Sequence, residues 1–504
     1  MRKIPFIGES YTSRSPSVSA QRTVNLYPEV DASGNSKSVI SLHGRPGLSL
    51  FSYITILPMR GIYAGSNGVL YGVAGGKIYS IDSVGVETEL GTLVTSAGRV
   101  SFADNGTELM VVDGTSGYIV TMSSGAFAEI ADADFTGADV VDFLDGYFIC
   151  NNPATGQFYI SGLYNGTAWD ALDIATAEAA PDDLVSLIND HRELWLFGEY
   201  STEVWVNTGN ASFPFERMNG AVIEKGIAAR WSVAKLDNSV FWLAKDKTGQ
   251  GVVVRANGYT PQVISTRAIE NEIAGYSSID DAWAFTCTLN GHVFYVLTFP
   301  TGDATWVYDV TTGMWHEWSS RNAIGEFKRY IGNTYAFCYG KHLVGDFEDG
   351  DIYEMDSDVY TDNGEPIVRT RRAQHLSGDM KNLFMSRLQI DMEMGVGDNN
   401  YTSDTYTASL ADGSEIADGS ILAGGEFIPG GSVNPQAMLR WSDDGGHTFG
   451  NEHWVTLGKQ GEYSKRAIWR RLGRSRDRVY ELNITDPIKV TLIDAYAEIT
   501  GGRH

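Results

Sequence analysis

The stretch that decides the fold is Asn67-Gly68-Val69-Leu70-Tyr71-Gly72-Val73-Ala74-Gly75-Gly76-Lys77-Ile78-Tyr79-Ser80-Ile81. Two short runs of strand-forming residues flank Gly75-Gly76, and Asn67-Gly68 precedes them. Such dipeptides accept the positive φ angles that tight hairpins need. The pattern returns at 108–112 with 118–120, 147–150 with 158–160, 193–197 with 203–206, 239–243 with 252–254, 292–297 with 305–308, and 334–338 with 351–354. Asn105-Gly106, Asp145-Gly146 and Asn290-Gly291 mark further turns. Starts spaced by 39, 39, 46, 46, 53 and 42 residues leave room for one four-stranded blade each. Most runs are apolar on both faces, as strands covered on both sides are. The pattern predicts a mainly β chain containing a β-propeller of six or seven blades. A long meander or a set of sandwiches with chance spacing is the competing architecture.

The repeat ends near residue 365. The predicted organisation is an N-terminal arm over 1–55, a propeller over 56–365 and a C-terminal β-rich region over 366–504. A closed ring brings its ends together, so the arm and the C-terminal region are expected to form one platform domain. Within it, 384–393 alternates as a strand. Phe384, Leu388, Ile390 and Met392 are assigned to one face and Arg387, Gln389, Asp391 and Glu393 to the other; Ser386 and Met385 break the pattern. The segment 407–432 is rich in Gly, Ser and Ala.

Composition narrows the function. The 504 residues are 43% hydrophobic and 20% charged, an ordinary folded balance. The 56 Gly and 58 aromatic residues favour short strands and tight turns. A formal charge of -25 argues against a general nucleic-acid coat. Cys150, Cys287 and Cys338 are too few for a disulfide framework and sit in hydrophobic runs, so they read as buried hydrophobes in a chain made in a reducing cytoplasm. No secretory leader or membrane anchor is expected.

Catalytic signals are weak. The nine histidines form no His-x-x-x-His or His-Glu-x-x-His pattern, and no phosphate-binding loop occurs. No pair of carboxylates stands out for glycoside hydrolysis, and the repeat is poor in arginine, with candidates such as Arg192, Arg217, Arg230, Arg255 and Arg267. Asp398-Asn399-Asn400 and the acidic run 346–351 lack EF-hand order and read as solvated turns. No catalytic, metal or cofactor residues are assigned, and the chain is expected not to be an enzyme. A glycan hydrolase, or a glycan-binding propeller using its aromatics, stands as the alternative.

Two features carry more meaning. Ser442-Asp443-Asp444-Gly445-Gly446-His447-Thr448-Phe449 has the Ser-x-Asp-x-Gly-x-Thr-aromatic form of an Asp-box. Ser442, Asp444, Gly446, Thr448 and Phe449 are predicted to lock a hairpin turn, with Phe449 in a small core. Basic residues concentrate over 461–480: Lys465, Arg466, Arg470, Arg471, Arg474, Arg476 and Arg478 face only Glu462 and Asp477. With Arg369, Arg371 and Arg372 they are read as an assembly interface for an acidic partner or another subunit. A solvated basic face and direct phosphate contact remain open.

Arg22-Thr23-Val24-Asn25-Leu26-Tyr27-Pro28-Glu29, His43-Gly44-Arg45-Pro46-Gly47-Leu48, the 438–449 segment and Trp469-Arg470-Arg471-Leu472-Gly473-Arg474-Ser475-Arg476-Asp477-Arg478-Val479-Tyr480-Glu481 together resemble the packaged-DNA-stabilisation proteins of short-tailed phages, the tail hub or nozzle component typified by phage P22. The resemblance implies a propeller joined to a platform in the virion tail. It implies a homohexameric ring below a portal or head-to-tail adaptor ring, which retains packaged DNA. The ring would carry a tail needle, tailspike or fibres, and double-stranded DNA would pass through an acidic channel. It brings no catalytic residues and no cofactor.

Overall fold

The computed structural model describes residues 1–55, 58–177, 182–245, 249–322, 324–378, 381–397 and 434–502, together with the backbone of the strand pair Ala408–Ser409 and Glu415–Ile416. Asp398-Asn399-Asn400, nearly all of 407–432 and His504 lie outside the described residues. The chain divides into two compact units. One comprises Tyr11–Arg14 and Leu50–Met355; the other comprises Met1–Ser10, Ser15–Ser49 and Asp356–His504. The division falls some residues ahead of the predicted boundaries at both ends.

The first unit is a propeller. Six antiparallel meanders of four consecutive strands open with Met59–Ala64, Ser101–Asp104, Val141–Leu144, Leu184–Asp190, Ala234–Leu236 and Trp283–Leu289. A seventh blade holds Gly332–Cys338, Lys341–Asp346 and Ile352–Asp356. Its fourth place goes to Gly47–Ser52, a strand from ahead of the ring. The opening strands neighbour one another around the axis, and Gly332–Cys338 lies beside Met59–Ala64. A strand borrowed from the other end of the repeat thus closes the circle and leaves no blade short.

Turn chemistry sets the hairpins. Asp145-Gly146 and Asn290-Gly291 are two-residue turns with both φ angles positive, which match the twist of the paired strands. His191-Arg192 and Asp237-Asn238 adopt the same conformation without glycine. The seventh hairpin read from the sequence is not one. Residues 334–338 and 351–354 do not pair; Lys341–Asp346 lies between them and pairs with both. Its opening Lys341-His342 and its Gly345 hid that strand among turn residues.

Hydrophobic clusters fill both units, and those of the propeller span adjacent blades. Tyr71, Val73 and Ile78 of the first blade pack with Leu109, Val111 and Tyr118 of the second. Met59, Leu70 and Ile81 pack with Ala336, Leu343 and Ile352 of the seventh. Burying both faces of every blade is the main stabilising term. The three cysteines are free and buried in this apolar interior, and burial pushes the Cys287 thiol up to about 12.

The second unit is a sandwich. One sheet runs Leu26–Val30, Ile40–Gly44, Thr491–Gly501, Leu383–Met392, Ala467–Arg470. The other carries Ala20–Val24, Arg369–Arg372, Asp477–Ile484, Gln436–Ser442 and His453–Thr456. Leu388, Ile390 and Ala495 of the first meet Leu439, Leu482 and Ile484 of the second. The alternation assigned to 384–393 needs correction. The ladder shifts register between Met385 and Arg387, so Leu383 and Met385 point inward before the bulge and Leu388, Ile390 and Met392 after it. Phe384 is therefore exposed and Met385 buried, because one extra residue reverses the phase of the strand.

Candidate functional site

The turn at 442–449 forms as its spacing demands. Asp444 accepts from His447 N at 3.1 Å, from Thr448 N at 2.9 Å and from the Thr448 hydroxyl at 2.5 Å. Ser442 Oγ donates to Asp444 Oδ1 at 2.6 Å and accepts from Gly446 N at 2.8 Å. Gly445 and Gly446 have φ of 77° and 89°, and a Cβ on Gly446 would come within 2.8 Å of Ala20 Cβ. The hydroxyls of Ser442 and Thr448 hold the Asp444 carboxyl well below the usual range. Phe449 departs from expectation. It is not in an apolar core but lies under two guanidiniums, Arg372 at 4.6 Å and Arg440 at 5.3 Å from its ring centre. Asp444→Ala should lower the melting temperature modestly, since the released N–H groups near the surface can turn to water. The wild-type advantage should vanish as acid protonates Asp444, because its folded pKa is depressed. Calorimetry across the acid range checks both.

The arginines fall into three groups that the sequence could not separate. Arg369 and Arg371 are buried. Arg371 Nε donates to Phe6 O at 2.6 Å, Nη1 to Glu9 O and Thr23 Oγ1, and Nη2 to Gln21 Oε1. Burial pushes it down to about 9, still charged at neutral pH. Arg369 donates to Tyr360 O and Asp486 O, both at 3.3 Å. Arg478 is also buried, forked onto Asp443 at 2.6 and 2.7 Å and stacked on Trp441. These three hold the sandwich together and do not present an exposed surface, contrary to their assignment as interface residues. Each meets oxygens that tertiary packing brings to it, Arg478 reaching the half-exposed carboxylate of Asp443.

Arg372 forms the second group with Arg440. Both donate to Glu481, Nε to Oε2 at 2.7 Å and Nε to Oε1 at 2.6 Å. Glu481 is 1% exposed. Burial alone would raise its pKa, but the two guanidiniums outweigh that and lower it. The third group comprises Arg466, Arg470, Arg471, Arg474 and Arg476. All are exposed, and none forms an ion pair among the described residues.

Residues of the N-terminal stretches also have roles that the sequence did not reveal. Arg45 is fully buried, bonded to Asp362 at 2.9 Å and to Asn25 Oδ1 at 2.7 Å. Asn25, itself at φ 56°, donates to Val368 O. Gly47 N donates to Val359 O, an approach that a Cβ would block at 2.4 Å.

The propeller axis holds a cavity of about 460 Å³. Its wall is stitched from blade to blade. Tyr63 donates to Asp104, Ser101 bridges to Val141, and Asn189 donates to Asp142 and accepts from Lys235. Arg99, another residue the sequence reading passed over, lies over Trp283 at 5.0 Å and Trp231 at 5.7 Å and donates to Asn333 O. This volume suits a small molecule, not a nucleic-acid duplex. The blade aromatics that could stack on sugars are spent largely in cores: Trp195, Trp242, Trp306, Trp315 and Trp318 are all buried. Among the described residues no group of three or more His, Cys, Asp or Glu could hold a metal. The 346–351 turn is solvated only in part, since Glu348 and Asp349 are exposed. Asp346 is buried and accepts from Glu348 N, Asp349 N and Tyr353 OH, and burial pushes it up to about 6.

Comparison with known proteins places these features in context. The family model described as Bacteriophage P22 Gp10, beta-propeller, matches residues 2–360, and the one described as Bacteriophage P22 Gp10, beta-sandwich, matches 422–500. A curated relative, the tail hub protein gp10 of Salmonella phage P22, is 21% identical over 452 residues, covering 86% of each chain. Among solved structures, the WD40 β-propeller domain of Doa1 aligns at 12% identity and TM-score 0.40, covering 62% of this chain and 97% of that one. The N-terminal domain of Nup159 aligns at 10% identity and TM-score 0.39, covering 66% and 98%.

Proposed function

The chain belongs to the bacteriophage P22 Gp10 family, and on that premise we propose that it is a structural tail hub protein, built into the virion tail as a homohexameric ring below the portal or head-to-tail adaptor ring. The observation that carries this reading is the match of both family models, propeller and sandwich, in the order found in the structure. In this role the ring closes the head after packaging, retains the DNA and forms part of the conduit for its ejection. It also carries the lower tail parts, whether needle, spike or fibres. No catalytic step is assigned to it.

The physical features fit that role. The cavity on the propeller axis is far too small for a duplex, so DNA passes along the ring axis between subunits. At -25 per chain, such a ring repels phosphates and lets the duplex slide instead of gripping it. The exposed Arg470, Arg471, Arg474 and Arg476, in no ion pair among the described residues, supply the assembly surface, facing carboxylates of the adaptor or of a neighbouring subunit.

Images of assembled particles test the placement. A six-fold ring containing this chain on the tail axis is expected, and a peripheral position overturns the reading. The arginine surface has its own test. Arg470→Glu with Arg471→Glu should leave the purified chain folded by circular dichroism but yield particles that lack tails or leak DNA. Normal particles from that variant would remove these arginines from the interface.

A further inference from the structure

We propose that the open edge of the sandwich at Ala467–Arg470 takes an extended acidic peptide as an added strand. This deepens the assembly reading above and rests on it for the source of the peptide. Ala467–Arg470 ends its sheet: Leu383–Met392 pairs with it on one side, and no described strand pairs with it on the other. In an antiparallel ladder every second residue of such a strand turns its N–H and C=O outward. Those groups are a template for another chain.

The charges around this edge select what can bind. Arg470 stands directly opposite Arg387 across the ladder. Like charges in that position repel. Arg387 is in no ion pair among the described residues; its Nη2 reaches Gln389 Oε1 at 3.3 Å and its Nε is buried without a partner. Arg474 stands opposite the exposed Phe384. Beyond the other end of the strand, Arg466, Lys465, Tyr463, Gln389 and the paired Lys37 and Asp391 line a cleft of about 500 Å³. Four guanidiniums, Arg387, Arg470, Arg474 and Arg466, none in an ion pair among the described residues, therefore border a strand edge that no described strand covers, and the edge ends in a cleft where Lys465 is paired with Glu462.

An acidic strand answers every part of this arrangement. Its backbone meets both the donors and the acceptors of the edge. Its carboxylates enter the forks of Arg387, Arg470 and Arg466, where planar guanidinium geometry favours two-point contact. The phosphate backbone of a duplex offers acceptors only and would leave the outward carbonyls of the edge unmatched.

The full chain tests this with a labelled short peptide alternating Glu and Val, read by fluorescence anisotropy. Salt-sensitive binding is expected, with no binding of the Lys–Val counterpart. Methylating alternate backbone nitrogens of the Glu–Val peptide should abolish binding. Arg470→Glu should weaken binding about tenfold or more while raising the melting temperature, because Arg387 gains an opposite charge; a merely unfolded variant cannot do both. Equal binding of the methylated peptide overturns the proposal, as does tighter binding of a short duplex DNA. Self-association through this edge, abolished by Arg470→Glu and without peptide binding, assigns the surface to a second copy and also overturns it. Absence of peptide binding leaves the ring position in particle images standing, and a peripheral position in those images leaves the peptide result standing, so the two readings fail separately.

Discussion

Replacing Glu481 with Gln is expected to destabilise the sandwich by about 3 kcal/mol, the low end of the range for breaking a buried ion network. Glu481 sits on the central strand Asp477–Ile484, opposite Arg372 on one side and Arg440 on the other. Its side chain is 1% exposed, against 19% for Arg372 and 36% for Arg440. The buried acid thus balances two guanidiniums that water reaches only in part, which places the effect at the low end. Glutamine keeps the shape but removes the charge, and its amide can turn an N–H toward a cation. Because Glu481 has a depressed folded pKa, its contribution is present above the unfolded carboxylate range and is lost as pH falls through the folded value. Urea unfolding at neutral pH, followed by near-ultraviolet circular dichroism, measures the loss. A change below about 1 kcal/mol would mean that the network behaves as an exposed one. Replacing all three together with apolar residues of like volume should recover most of the loss.

Arg371→Ala is expected to release the N-terminal arm at a cost of about 3 kcal/mol or more, since hydrogen bonds to a charged group contribute most and their loss leaves buried oxygens unmatched. Arg371 binds Phe6 O, Glu9 O, Thr23 Oγ1 and Gln21 Oε1 with one planar group. Removing it strands those acceptors where Phe6 and Thr23 are buried. Arg371→Lys should not rescue, because a single ammonium cannot span four acceptors in those directions. Faster amide exchange and early proteolytic cleavage within the first ten residues, with the propeller amides unchanged, are the expected readouts. Uniform loss of protection across the whole chain would show that the arm is integral to one cooperative fold.

Much of the propeller was legible because its signal is local. A blade is built from consecutive strands, so apolar runs and turn dipeptides such as Asp145-Gly146 sit close together in the chain. The first six hairpins read from the sequence are indeed strand pairs. Legibility failed where local pattern and pairing part company. Lys341–Asp346 begins with polar residues and carries a glycine, so it passed for a turn. Gly47–Ser52 completes a blade whose other strands lie some three hundred residues away, and nothing in its own composition names that partner. The bulge after Met385 reversed the faces of a strand whose two arms each alternate correctly.

The arginines mark the limit most clearly. The sequence by itself determined that the C-terminal unit is rich in guanidinium, that the turn at 442–449 closes around Asp444, and that a repeating β architecture occupies the middle of the chain. Only the tertiary structure decided that Arg371 and Arg478 face inward while Arg470, Arg474 and Arg476 face water, in no ion pair among the described residues. The reason is physical. A hairpin is specified by residues a few positions apart, whereas the burial of an arginine depends on oxygens delivered from elsewhere: Arg371 bonds to Phe6, 365 positions distant, and Arg478 to Asp443, 35 positions distant. Charge is a property of the residue; its compensation is a property of the fold.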